Sequence, residues 1–206
     1  MPIECEGTPR DLGLDQGRAC ADALRMRFED ADGKPVSYGA MQGKPSIVRL
    51  DQKDPGTVVL EGGETLFFPA LPAGPYRIGV HSPHYAPVEQ DVDVVAGEKN
   101  EATVKLRAPA KLKVLFTAPE RLVVRFRIRR DGRILPAFPV GATEAGTQAT
   151  GLQPLIAHGS QGAVFTGLDA GPVTIDVTDP TLSAEAKTVD LREGETTEVE
   201  IEVRKR

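Results

Sequence analysis

Tryptophan is missing from these 206 residues, and three tyrosines and seven phenylalanines are the only aromatic side chains. Any core must therefore be largely aliphatic. Cysteine is nearly as scarce: Cys5 and Cys20 both lie near the start, which excludes a disulfide frame through the rest of the chain and reads as two reduced thiols in a reducing compartment. No run of 18 apolar residues occurs, so no membrane insertion by a helix is expected. The opening Met1-Pro2-Ile3-Glu4-Cys5-Glu6 has neither the basic stretch nor the apolar stretch of a secretory leader. The expectation is a soluble, cytoplasmic protein, with signal-independent export left open. Neither sign of charge dominates, with 25 basic and 30 acidic residues giving a net −5, which argues against a nucleic-acid binder. A phosphate-cradling glycine loop ending in Lys-Ser or Lys-Thr, a Gly-x-Ser-x-Gly elbow and a cysteine with a matching histidine are all lacking. The chain is accordingly read as a non-enzyme without cofactor or metal.

What the chain does have is punctuation and repetition. Its 21 glycines and 17 prolines suit short strands and turns. Leu71-Pro72-Ala73-Gly74-Pro75-Tyr76-Arg77-Ile78 returns as Leu168-Asp169-Ala170-Gly171-Pro172-Val173-Thr174-Ile175, 97 residues on. The same offset carries Phe68 to Phe165, Pro83 to Pro180, Gly97 to Gly194 and Arg107 to Arg204 without a gap, for 14 identities in 40 positions. This is an internal duplication. It divides the chain into an N-terminal arm at 1–21, a first β-sandwich at 22–108 and a second at 109–206. Modules of this size bury only roughly 60–65 % of their unfolded surface, so each should be modestly stable.

In the arm, Thr8-Pro9-Arg10-Asp11 has the form of a helix start, with Thr as N-cap and Pro at the first helical position. The helix would run from Pro9 to about Arg25, with Gly13 and Gly17 each costing roughly 1 kcal/mol. Glu4 to Gly13, with Gln16 and Gly17, resembles the opening of the isopenicillin N acyltransferase-like amidohydrolases over about 20 residues. In that family the nucleophilic cysteine becomes a new N-terminus inside the chain, where neither Cys5 nor Cys20 lies. The resemblance implies a similar strand, turn and helix serving as a docking element, and not catalysis.

In the first module, Leu24, Met26 and Phe28 alternate with Arg25, Arg27 and Glu29. Ala23–Asp30 tolerates helix but is read as a strand. A turn at Asp32-Gly33-Lys34-Pro35 follows, then strands at Ser46–Leu50, Thr57–Leu60, Glu64–Pro69 and Tyr76–Val80, and a closing strand through Ala102, Val104 and Leu106. Seven or so short strands with turns every 8 to 12 residues point to an antiparallel, Ig-like sandwich. Asp30–Val36, Leu71–Val80 and Val94–Glu98 resemble the signature stretches of carboxypeptidase-regulatory-like, prealbumin-like (transthyretin-like) modules. The resemblance implies that fold across the whole module and accessory, structural or adhesive roles.

In the second module, Lys111–Phe116 is a linker or first strand and Leu122–Arg130 a clear strand, with Arg121, Arg125, Arg127 and Arg129 along one side. If that strand shares a sheet with the last one, the Arg row would pair with Glu198, Glu200 and Glu202. The segment Pro139–Gly162 departs from the repeat. Its Leu152, Leu155 and Ile156 are read as folding back as a short strand in preference to a docking knob.

The candidate partner-binding residues are Leu12, Leu14, Leu152, Leu155 and Ile156, for a protein partner of unknown identity or a larger assembly. A ligand site for glycan or peptide would use Tyr76, His81, His84 and Tyr85. His81-Ser82-Pro83-His84 is the one paired-histidine segment, short of the three or four ligands of a zinc site. Asp30 with Asp32, Asp91 with Asp93 and Asp176 with Asp179 read as turns and solvent faces, not calcium loops.

Overall fold

The computed structural model describes residues 22–43, 45–51, 65–117, 122–140, 154–158 and 162–206. Its first half contains β1 (Asp22–Glu29), a single helical turn α1 (Tyr38–Met41), β2 (Ser46–Arg49), β3 (Leu66–Leu71), β4 (Gly74–Val80), β5 (Val88–Val94) and β6 (Asn100–Lys105). The second half contains β7 (Ala110–Thr117), β8 (Val123–Arg130), β9 (Arg133–Ile134), β10 (Phe138–Pro139) and β11 (Leu155–His158). It continues with β12 (Ala163–Leu168), β13 (Gly171–Val177), β14 (Leu182–Ser183), β15 (Lys187–Leu191), β16 (Thr196–Glu202) and β17 (Arg204–Lys205). The strands follow from period-two patterning: in β6 Ala102 and Val104 face inward between Glu101, Thr103 and Lys105, and in β7 Ala110, Leu112, Val114 and Phe116 do the same.

The fold is all-β and built as sandwiches. In the first half, sheet β3-β1-β6 faces sheet β2-β4-β5; in the second, β10-β12-β7-β16 faces β11-β8-β13-β15. Two hydrophobic clusters result, one drawn from residues 24–106 and the other from 110–203. The repeat offset maps β3 onto β12 and β4 onto β13 end to end. The sheets are not purely antiparallel as expected: β1 pairs with β6, and β7 with β16, in parallel. The physical reason is that each half's first strand lies inside its sheet, between an antiparallel neighbour and the half's own last long strand, β6 or β16.

Register extends the repeat where the sequence does not show it. Leu24 pairs Asn100 and Leu112 pairs Thr197, so Leu24, Met26 and Phe28 occupy the places of Leu112, Val114 and Phe116. Ile47 pairs Ile78 and Ile128 pairs Ile175, which makes Ile47 equivalent to Ile128 and Arg49 to Arg130.

Several expectations are revised. Residues 22–25 are strand, not the end of a helix; the rest of that helix, Pro9 to Ala21, lies outside the described residues. The Thr57–Leu60 strand also lies outside them. Lys111–Phe116 is a first strand and not a linker, and Leu155–His158 does fold back as β11 against β8. Unforeseen were α1, capped by the Ser37 hydroxyl accepting from Ala40 N–H, and the short β14–β17 pair. Gly33 takes φ +78° in the expected turn, where the Asp30 carboxylate accepts from the N–H groups of Asp32 and Lys34 at 2.9 Å each.

The second core is centred on Phe126, whose ring centroid lies 5.3 Å from those of both Phe116 and Phe165. Phe126→Ala should cost about 3–5 kcal/mol, as a large cavity between aromatic neighbours does. Val123→Ala, at a position 49 % exposed, should stay within about 0.5 kcal/mol. Denaturant titration of the two variants checks the contrast.

Candidate functional site

Only Leu106, Arg107, Ala108 and Pro109 join β6 to β7, and this link is fastened on both sides. Leu106 is buried and donates its N–H to Glu29 O at 2.7 Å; the carbonyl of Arg107 accepts from Ala86 N–H at 2.9 Å. The Arg107 guanidinium reaches across to the Asp169 carboxylate at 3.1 Å. Thr166 on β12 is 5 % exposed and donates its hydroxyl to Pro83 O at 2.9 Å. Between these contacts Gly167 takes φ +74°, and a Cβ there would stand 2.5 Å from both Ser82 O and a Phe138 ring carbon. Glycine is needed at this spot both for its conformation and for the close approach.

The His81-Ser82-Pro83-His84 segment is therefore part of a junction between the two halves. Ser82 is 1 % exposed, donates its hydroxyl to Met41 O and accepts from His84 N–H at 3.1 Å. The His84 ring lies 2.8 Å from Gln42 Oε1, and Gly43 packs against the carbonyl of His81. No group of three or more potential metal-ligating side chains occurs among the described residues.

The proposed ligand set does not converge. Tyr76 is 2 % exposed and donates its hydroxyl to Pro72 O at 2.7 Å, with burial raising its pKa. Five residues of extended chain separate it from His81 by about 16 Å. Tyr85 packs against the first core and His84 is exposed. In the partner set, Leu12, Leu14 and Leu152 lie outside the described residues. Leu155 packs inward on the second core, while Ile156 is 53 % exposed on the edge strand β11, near exposed Val123.

The Arg and Glu rows do not meet, because β8 and β16 belong to opposite sheets. Arg129 instead lies 2.8 Å from Asp176 on neighbouring β13. Glu198 is paired with Lys113 at 2.7 Å, Glu200 accepts from Thr117, and Glu202 takes Arg204 at 2.9 Å. In the first half, Arg25 does face Glu101 across the parallel β1–β6 pair. The Glu101 carboxyl is held below its ordinary range, first by Lys99 and to a lesser degree by the two arginines of β1.

Two residues that sequence reasoning passed over hold the repeated turn. Arg49 donates to Ala73 O at 3.0 Å, and Arg130 donates to Asp169 O at 2.9 Å and Pro172 O at 3.2 Å. Each guanidinium lies over a glycine, Gly74 at φ +146° or Gly171 at φ +114°, and a Cβ on Gly74 would come within 3.0 Å of Arg49. Arg49 is also bound to Asp51 and lies 5.9 Å from the centre of the Tyr76 ring. Its signal in the sequence was faint: a charged residue ending an otherwise apolar strand. For Thr166, Gly167 and Asp169 the signal was present, since Gly167 interrupts an apolar strand and Asp169 stands where the first copy has Pro72.

No family model matches the chain, and no curated protein does. Matching solved structures include the minor pilin GBS52 of Streptococcus agalactiae, at 16 % identity over 90 % of this chain and 97 % of that one, with a TM-score of 0.46. A streptococcal ancillary pilin matches at 14 % identity over 90 % of this chain and 63 % of its own, with a TM-score of 0.40. The major pilin subunit of Bacillus cereus matches at 11 % over 84 % and 68 %, with a TM-score of 0.34. The chain thus spans a little under two thirds of the ancillary pilin. The cytoplasmic placement is withdrawn as a correction, being at odds with neighbours that are pilins, one of them from a Gram-positive pathogen. Among the described residues, no helix is long and apolar enough to cross a membrane.

Two measurements follow. Arg130→Met removes a charged donor from two carbonyls and should cost about 1–3 kcal/mol in denaturant titration. The Asp51, Asp91 and Asp179 carboxyls are held below their ordinary range, first by the side chains of Arg49, Arg77 and Thr181 respectively. A depressed folded-state pKa adds stability above the unfolded value and loses it as pH falls through the folded one. Stability should thus decline on acidification below the ordinary carboxylate range. Asp91→Asn should make that decline shallower.

Proposed function

We propose that this chain is a non-catalytic structural and interaction protein in which two tandem sandwiches, 22–108 and 109–206, act as one stiff unit that holds its outer edges and loops for a protein partner or a larger assembly. The observation that carries this reading is the junction. A four-residue link, with the Thr166–Pro83 bond and the Arg107–Asp169 pair crossing between the halves, leaves little freedom to either half. Relative motion of domains is the ordinary expectation unless their interface is large and apolar, so the stiffness proposed here rests on the shortness of the link and on the close approach at Gly167.

The surface proposed for the partner is the edge of β11 with Ile156, next to Val123, together with the arm that carries Leu12 and Leu14. Exposed apolar side chains on an edge strand are suited to pairing with another chain. A glycan or peptide site at Tyr76, His81, His84 and Tyr85 is not favoured, because Tyr76 is in the core and the histidine loop lies at the junction.

Stiffness is measured by residual dipolar couplings and NMR relaxation. The intact protein should give one alignment and one rotational correlation time for both halves. Thr166→Val combined with Arg107→Ala should let the halves reorient separately while each keeps its own spectrum. Independent reorientation in the unaltered protein would sink the stiff-unit reading.

A further inference from the structure

At the open edge of the second sandwich, β15 and β16 are the outermost strands of opposite sheets. They stay close near their connecting turn, where the Thr197 hydroxyl lies 3.5 Å from Asp190 O. Further along they part around a cleft of about 700 Å³ lined by Ser183–Thr188, Glu200–Glu202 and Arg204. Along β16 itself the opening is spanned by the bond from Lys187 Nζ to Glu200 O at 3.0 Å, and its far end is closed where Ser183 Oγ donates to Arg204 O at 3.3 Å beside the β14–β17 pair.

The Lys187 bond shows which way the edge faces. Lys111 N–H donates to Glu195 O and Val203 N–H to Thr117 O, so the odd-numbered residues of β16 turn their backbone groups toward β7. The even-numbered ones, Glu198, Glu200 and Glu202, turn theirs outward, as the capped Glu200 carbonyl confirms. β16 is therefore an edge with unpaired backbone groups, and Lys187 closes it in the way that natural sheets use lysine to deter indiscriminate pairing. The first half has no such arrangement: the repeat places Gln90 and Thr103 where Lys187 and Glu200 stand.

The cleft also has a chemical pattern. Val199 and Ile201 face inward, with Ala184 and Ala186 across the gap. On the outer face stand Glu198, Glu200 and Glu202. Lys113 answers Glu198 and Arg204 answers Glu202, while Glu200 and Glu185 have no cation within ion-pair distance among the described residues.

We propose that the β15–β16 cleft of this chain receives an extended peptide segment of a protein partner, alternating apolar and basic residues, which adds to β16 as a further strand after displacing Lys187 from Glu200 O. Alternation follows from the pleat: one set of side chains enters beside Ile201, Ala184 and Ala186, and the other lies beside the glutamate row, where opposite charges on adjacent strands are favoured. The proposal deepens the interaction reading above and does not depend on the stiffness of the junction.

The test uses the full chain and three nine-residue synthetic peptides: alternating Val and Lys, the same composition in blocks, and alternating Val and Glu. Binding is read by fluorescence anisotropy and by amide shifts at 184–187 and 198–202. The alternating Val–Lys peptide should bind at those positions and the other two at least about tenfold more weakly, a margin of one or two edge bonds. Lys187→Ala, which frees the carbonyl, should tighten binding several-fold. Glu200→Pro removes an outward N–H from an edge position that tolerates proline and should weaken binding about tenfold. If that variant loses its native spectrum, Ala186→Trp, at an exposed position in the cleft, blocks by volume and should give the same weakening. Equal binding of the block peptide, no binding even to Lys187→Ala, or full binding to a folded blocking variant would each overturn the proposal. None of these results bears on the dipolar couplings that test the junction.

Discussion

Each half is closed by a pairing that cannot form until nearly all of that half has been made: its first strand lies inside a sheet, parallel to its last long strand, β6 or β16. Leu24 beside Asn100 and Leu112 beside Thr197 are contacts between residues about a whole module apart. Much else depends on this arrangement. It leaves β3 and β6 at the edges in the first half, and β10 and β16 in the second. It also ends each half beside its own beginning, so that four residues are enough to start the next. The short link then brings the loop after β4 against β12, and the contacts that fasten the halves follow from that proximity.

Within this frame the turn before the fourth strand is a second fixed point. A glycine with positive φ reverses the chain, and an arginine from the neighbouring strand ties down the exposed carbonyls on the far side. In the second half the same place makes further contacts. Asp169 replaces Pro72, accepts from Arg107 across the junction and receives Arg130 at 3.8 Å. Thr166 and Gly167, three and two residues before it, supply the hydroxyl and the close approach. The second half thus forms a socket for the histidine loop of the first.

The sequence showed the later part of each module clearly, from Phe68 and Phe165 onward, because β3 to β6 are joined by turns whose lengths stayed equal between the copies. The earlier part was hidden. Register places Leu24 on Leu112 and Ile47 on Ile128, offsets of 88 and 81 residues in place of 97, so insertions before and after β2 break any ungapped match. For the same reason the equivalence of Arg49 and Arg130 could not be read along the chain. The histidine loop was legible as a paired-histidine segment but not as a junction, since nothing local records that Thr166 lies opposite Pro83.

By itself the sequence determined the all-β class, the matching stretches 97 residues apart, the alternating inward and outward faces of most strands and the glycine turns, because these depend on nearest neighbours and on a two-residue period. The tertiary structure decided which strands are parallel, which sheet each charged row belongs to and which edges remain open. The Arg row of β8 and the Glu row of β16 have the same spacing and opposite charge, and pattern alone would pair them. They are kept apart because each half's first strand occupies the position next to its last, a choice made by burying two whole faces at once.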